Sequence, residues 1–242
     1  MTRHAEKSNR ELAKLCQVSD KFVAAIRNLA SVEEIWTTAP DGVKSQSWIM
    51  KPANFDPAKK YPMILEIHGG PHTNYGARFS AEMQAYAAAG YVVLYSNPRG
   101  STSYGDKFAN MIDKAYPGSD YDDLMAAVDG VLAKGYVDPA RLFVTGGSGG
   151  GVLTAWIVGK TNRFRAAVVA KPVINWTSFA LTADNPAYFG RYWFGKNPWE
   201  AGAQAEYWRR SPLSLVGNVK TPTMLITGEQ DYRTPISESE QY

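Results

Sequence analysis

The sequence predicts an α/β domain with a largely parallel β-sheet covered by helices on both faces. Three observations predict it. The chain has 242 residues, of which 45% are hydrophobic and 20% charged, enough for one sizeable core. Short, continuously apolar runs alternate with helix-like segments, the pattern of strands buried on both faces. One of these junctions, RLFVTGGSGGGVLTAWIVG (141–159), holds six glycines and one serine, five of the glycines flanking the serine between an apolar strand and an apolar helix. A linker would be polar on both sides, so this stretch is a turn inside a fold.

The elements follow in order. Residues 1–30 are polar, with a weakly amphipathic stretch from Asp20 to Leu29. EEIWTTAPDGVKSQSWIMKP reads as two strands joined through Pro40, Asp41 and Gly42. NFDPAKKYP is a polar connection, and MILEIHGG (63–70) is a buried strand ending in glycines. RFSAEMQAYAAAG suits a helix stopped by Gly90. YVVLYSNPRG is a strand ended by Pro98. Residues 119–135 form a helix with Ser119 or Asp120 as its cap and Gly135 as its stop. RLFVTGG is a strand, GGVLTAWIVGK a helix, and FRAAVVAKP and TPTMLITGE are two further strands. No internal repeat is visible.

Composition excludes several functions. The net charge is +3 and the basic residues are scattered, so no nucleic-acid stripe forms. Cys16 is the single cysteine, which excludes an internal disulfide and a thiolate zinc site. No apolar run reaches the ~18 residues of a membrane span. MTRHAEKSNRELAKL has no apolar signal core, so a cytoplasmic protein is expected; secretion or a periplasmic place stays open if Met1 is not the natural start.

The glycine-rich junction reads as G-x-S-x-G, Gly146-Gly147-Ser148-Gly149-Gly150, after a strand and before a helix. That is the setting of a nucleophile elbow. The turn must be sharp enough to raise the Ser148 hydroxyl above the carboxyl edge of the sheet. Side chains at 146 or 150 would collide with the neighbouring strand or helix. The helix that follows points its free N–H groups at the place where an oxyanion forms. A phosphate loop is the rival reading. It fails because no lysine follows the last glycine and because G-x-G-x-x-G counted from Gly147 ends on Val152.

EIHGGPH (66–72) follows an early strand, where acyl transfer on such a sheet needs a second oxyanion donor. The backbone N–H of Gly70 would be one donor and that of Gly149 the other. The plainer reading is a glycine turn with His68 packed beneath it. A metal site at His68 and His72 is not expected, because Pro71 blocks helical spacing and no acidic cluster joins them. In LITGEQDYRTP (225–235), Asp231 and Glu229 both follow a late strand, where a triad carboxylate would sit; a solvated loop acid or a cap for the helix beginning at Pro235 and Ile236 is the alternative.

Together HGGP (68–71), NPRGSTSYG (97–105), GGSGGG (146–151) and GEQDYRTP (228–235) resemble the catalytic domain of the prolyl oligopeptidase family of serine peptidases, in its acylaminoacyl-peptidase and dipeptidyl-aminopeptidase-like branches. The resemblance runs from about Val32 to the end. It implies an α/β-hydrolase fold, Ser148 as nucleophile, Asp231 as triad acid, and an oxyanion hole at Gly70 and Gly149. No cofactor and no metal are expected. It implies cleavage of peptide bonds in short peptides, screened by a β-propeller ahead of the catalytic domain.

The chain departs from the family pattern twice. Many members carry a tyrosine after the nucleophile, where this chain has Gly149; a backbone N–H serves the oxyanion from either residue. The larger departure is the base. Eleven residues follow Asp231 and none is histidine; His4, His68 and His72 all precede Ser148. In the family the base comes after one more strand and before a final helix, and both are missing here. The expectation is therefore a fragment: residues 1–31 as a linker or propeller remnant, and 32–242 as a peptidase domain cut short at its C-terminus. Such a chain alone would be inactive, and residues 223–227 would form an exposed sheet edge. The alternatives are an intact pseudoenzyme, a carboxylesterase-like hydrolase, and a non-catalytic interaction module on the same fold.

Two further features have double readings. The aromatic-rich segment 174–212 follows a strand and reaches the carboxyl edge of the sheet, so Trp176, Phe179 and Tyr192 are expected to line an apolar substrate pocket. Ordinary packing is the rival. Arg99 and Arg233 either bind a substrate carboxylate or bridge loops near the site, with bridging preferred.

Overall fold

The computed structural model describes residues 29–242. The amphipathic stretch from Asp20, and the expected remnant at 1–31 apart from its last three residues, lie outside the described residues. The element order is β1 (Val32–Thr38), β2 (Lys44–Met50), β3 (Tyr61–Ile67), α1 (Ala81–Ala88), β4 (Val92–Asn97), α2 (Asp106–Ala109), α3 (Asp120–Leu132), β5 (Val137–Gly147), α4 (Gly149–Lys160), β6 (Ala166–Ala170), α5 (Trp176–Thr182), α6 (Pro186–Phe189), α7 (Ala203–Arg209), β7 (Thr223–Ile226) and α8 (Ile236–Gln241). Short 3₁₀ or π turns link several of these.

The strands form one sheet in the order β1-β2-β4-β3-β5-β6-β7. β1, β2 and β4 pair antiparallel, whereas β4-β3-β5-β6-β7 pair parallel throughout. This is the mostly parallel α/β-hydrolase architecture that the sequence predicted. The first two strands turn back where expected: Gly42 adopts φ +87°, and the Asp41 carboxylate accepts the Val43 N–H at 3.2 Å.

Side-chain alternation sorts the core onto two faces. On β4, Val92 and Leu94 join the larger cluster with Leu65, Ile67, Leu124, Val128, Val144 and Val152, which α3 and α4 cover. Val93 and Tyr95 point the other way and meet Trp48, Met83 and Ala87, which α1 covers. Local chemistry sets the ends. Ser80 accepts the Met83 N–H and starts α1. At α3 the expected cap is divided: Ser119 stands at the cap position without a side-chain bond, while the Asp120 carboxylate accepts the Gly118 and Tyr121 N–H groups.

β7 is an edge strand, and no described strand lies beyond it. Met224 and Ile226 on it are 59% and 49% exposed. Among the described residues, no helix is long and apolar enough to cross a membrane.

One half-buried acid faces the smaller cluster. Glu66 on β3 lies opposite Tyr95 in the register; among the described residues it receives only a long bond, 3.4 Å, from the Tyr75 hydroxyl, while its Oε2 has no partner. Burial, helped by the charge of Glu82, pushes its carboxyl up to about 8. The folded state thus holds a proton that the unfolded chain has released. The stability Glu66 contributes is complete below about 4.5 and is lost as pH rises toward 8. Glu66→Gln is expected to gain on the parent through that window, by up to ~1.4 kcal/mol per pH unit. Urea unfolding at pH 5 and pH 8 measures this; a constant difference between the two proteins would count against it.

Candidate active site

The parallel registers bring four loops to one edge. Ile67 pairs with Gly146, Gly146 with Val169, and Ala170 with Ile226, so β3, β5, β6 and β7 end side by side. The segments leaving those ends begin at His68, Ser148, Lys171 and Thr227.

Ser148 occupies the corner between β5 and α4 with φ +57°, a region that a residue carrying a side chain rarely enters. Its N–H donates to Ala170 O at 3.0 Å, and its carbonyl accepts the Val152 N–H at 3.0 Å. The half-buried hydroxyl has no hydrogen-bond partner among the described residues, and it does not cap its own helix. The glycines around it are sterically required. A Cβ on Gly146 would stand 2.7 Å from the carbonyl oxygens of Ile67 and Gly150, and one on Gly150 would stand 2.0 Å from Ile67 O. Gly69, which sequence reasoning passed over, is just as constrained: its Cβ would meet Gly147 O at 2.7 Å. The doubled glycine in HGGP carried that signal.

Gly70 and Gly149 lie against each other. A Cβ on Gly149 would be 3.0 Å from Gly70 N and 3.2 Å from the Tyr116 hydroxyl. Among the described residues, neither Gly70 N–H nor Gly149 N–H finds an acceptor. Tyr116, also unforeseen, donates its buried hydroxyl to Gly149 O at 2.7 Å and so holds the peptide that follows Ser148. The place beside Gly149 is thus taken by a tyrosine from 33 residues upstream.

Asp231 lies in the loop after β7, half-buried. Its Oδ1 accepts the Arg233 and Thr234 N–H groups at 3.0 and 2.9 Å. Burial opposes its charge, but these bonds and the cation of Lys171 hold its carboxyl below the usual range. Glu229, the other candidate, is exposed. β6 separates β5 from β7, so the strand ends from which the Ser148 corner and the Asp231 loop leave are two sheet spacings apart, ~10 Å. Lys171 leaves β6 between them with φ +38°, its Cε near Gly147.

The histidines brace this edge. His68 is buried, with Nε2 2.9 Å from Ser101 Oγ and Nδ1 3.0 Å from Thr73 Oγ1; burial lowers its pKa. His72 Nδ1 lies 2.9 Å from Gly100 O, its Nε2 lies 2.9 Å from the Tyr192 hydroxyl, and its ring stacks on Trp193. Both tie the Gly70 loop to the segment after β4. The packed-histidine reading is the one that the geometry fits.

The expected pocket residues divide. Trp176 and Phe179 are each only 2% exposed and sit in the core, where Trp176 Nε1 donates to Arg210 O and its ring meets Tyr116 and Phe194. Ordinary packing accounts for both. Tyr192 keeps partial exposure beside His72. Arg99 is buried against Asp123 and Asp41, and Arg233 pairs with Asp184 at 2.6 Å. Each arginine bridges loops.

Comparison with known proteins matches residues 77–242 to a family model described as the prolyl oligopeptidase family. An uncharacterized peptidase of Bacillus subtilis, YuxL, is 44% identical over 96% of this chain and 35% of its own length. Dipeptidyl-peptidase 5 of Schizosaccharomyces pombe is 34% identical over 86% of this chain and 31% of its own. An acylaminoacyl peptidase of Pyrococcus horikoshii superposes with a TM-score of 0.84 at 29% identity, over 92% of this chain and 36% of that one. The chain spans about a third of the length of these curated relatives.

Proposed function

The chain belongs to the prolyl oligopeptidase family of serine peptidases, and from that premise we propose that it carries the acylation half of a peptidase site acting on short peptides. Ser148 Oγ attacks the carbonyl carbon of the scissile bond. The tetrahedral oxygen is held by the N–H groups of Gly70 and Gly149. Asp231 orients an imidazole and stabilises its protonated form. That imidazole takes the Ser148 proton and passes it to the leaving amine; water then releases the acyl group. One observation carries this reading: a serine hydroxyl unpartnered among the described residues, held at φ +57° on a strand–helix corner beside two amide N–H groups that likewise find no acceptor there.

The imidazole itself is not in the eleven residues after Asp231. We place it in sequence following Tyr242, with a β-propeller preceding the domain that starts at residue 32, in keeping with the short span of the relatives covered. The ~10 Å between the ends of β5 and β7 leaves it room above β6. Without it Ser148 stays a neutral alcohol and reacts slowly.

A fluorophosphonate probe tests the assignment. On the 242-residue chain, slow labelling is expected, quickened by added imidazole. On a chain extended by the downstream sequence, rapid labelling is expected. Ser148→Ala should remove the label in every case. A label that persists in Ser148→Ala, or an extended chain that stays unlabelled, overturns the assignment; the second outcome favours a non-catalytic interaction module.

A further inference from the structure

The opposite edge of the sheet, where the parallel strands begin, holds a cleft that the peptidase chemistry does not use. It has a volume of about 460 Å³, the size of a small-molecule site. Its walls are Pro139 and Ala140 near the start of β5, Asn162 to Arg165 between α4 and β6, and Lys220 to Pro222 entering β7. Ala140 and Ser148 lie near opposite ends of β5, ~25 Å apart at about 3.3 Å per residue.

The walls are pinned. Arg165 N–H donates to Leu142 O at 2.7 Å, Ala167 N–H to Pro222 O at 2.9 Å, and Thr221 Oγ1 to Phe164 O at 3.2 Å. Among the described residues, three cations line the cleft and no acid does. Arg163 is steadied by Asp129, and the nearby Arg141 is neutralised by Asp138 at 2.7 Å. Among the described residues, Arg165 and Lys220 have no acidic partner within ion-pair distance. A fixed concavity with two uncompensated charges, a second guanidinium from Arg163 and the Asn162 amide repels itself when empty and is relieved by an anion. Guanidinium forks match phosphate oxygens in pairs. The volume exceeds the needs of a single phosphate, and the charges stand on two separate connections. We propose that this cleft binds a multivalent phosphate anion of the di- or triphosphate class.

Calorimetric titration of the chain with inorganic tripolyphosphate, pyrophosphate and orthophosphate at low salt tests this. Tripolyphosphate and pyrophosphate are expected to bind more tightly than orthophosphate. The pair of changes Arg165→Gln and Lys220→Gln, both at exposed positions, is expected to weaken tripolyphosphate at least tenfold with an unchanged melting temperature. Lys220→Glu alone should weaken it as well. No heat of binding to the parent, or binding that survives the double change, overturns the proposal. So does binding lost instead on Lys114→Gln, which alters the smaller cation-lined cleft at Arg99, Lys114 and Arg209. None of these readouts depends on Ser148.

Discussion

Gly150→Ala is expected to leave the domain largely unfolded under conditions where the parent is stable. The added Cβ would lie 2.0 Å from Ile67 O, 2.9 Å from Ile67 C and 3.1 Å from His68 O. All three are backbone atoms of β3 or the residue just past it, and no rotamer change can move them. Relief requires either that α4 slide off the sheet or that β3 and β5 part where Ile67 pairs with Gly146. Overpacking against adaptable side chains costs ~1–3 kcal/mol. Against a central strand the cost should exceed ~3 kcal/mol, a large share of the ~5–15 kcal/mol that holds a typical domain together. Gly42→Ala is the control. Its φ of +87° is also strained for alanine, but no atom of the described residues lies within 4 Å of the new Cβ, so ~1 kcal/mol is expected. Urea midpoints for the two variants separate crowding from backbone strain. A Gly150→Ala midpoint no lower than that of Gly42→Ala would refute the steric account of the elbow.

The contrast between these glycines also explains what could be read beforehand. Gly146, Gly150 and Ser148 were legible because an elbow is a local device: strand, turn and helix are consecutive, and each leaves its mark in the residues that form it. The parallel sheet was legible for the same reason, through runs such as MILEI and YVVLY. What stayed hidden was carried by distant partners. Tyr116 reaches Gly149 across 33 residues, and Arg99 meets Asp41 across 58. Aromatic density in 174–212 could not separate Trp176 and Phe179, which close the core, from Tyr192, which braces a loop. The order β4-β3-β5 and the position of Lys171 between two site loops follow from sheet topology, which periodicity does not encode.

Arg99→Met is expected to cost ~3–5 kcal/mol, the usual penalty for leaving one member of a buried ion pair alone. The Arg99 side chain is 8% exposed and that of Asp123 is 0% exposed. The Asp123 carboxylate accepts the Arg99 backbone N–H at 2.7 Å, Nε–H at 2.9 Å and one terminal N–H at 2.8 Å. The outer side of the guanidinium grips Asp41 at 2.7 and 3.0 Å, in the turn between β1 and β2. Burial already leaves the Asp123 carboxyl above its usual range despite the pull of Arg99. With Arg99 gone that rise must grow, so folded Asp123 retains a proton that the unfolded chain has lost. Stability of the variant then falls as pH rises above ~4. The loss relative to the parent should accordingly be larger at pH 8 than at pH 5. Adding Asp123→Asn removes the stranded charge while keeping an oxygen for the Arg99-position N–H, and should recover more than half of the loss. Equal losses at both pH values, or no recovery in the double variant, would refute the account. The pair matters to the site because the segment it anchors continues into Gly100 and Ser101, which hold His72 and His68 beneath the Gly70 loop. Of the two roles the sequence offered for Arg99, the preferred one, a bridge between loops, is the one the geometry fits, and it stands two contacts removed from the proposed oxyanion site.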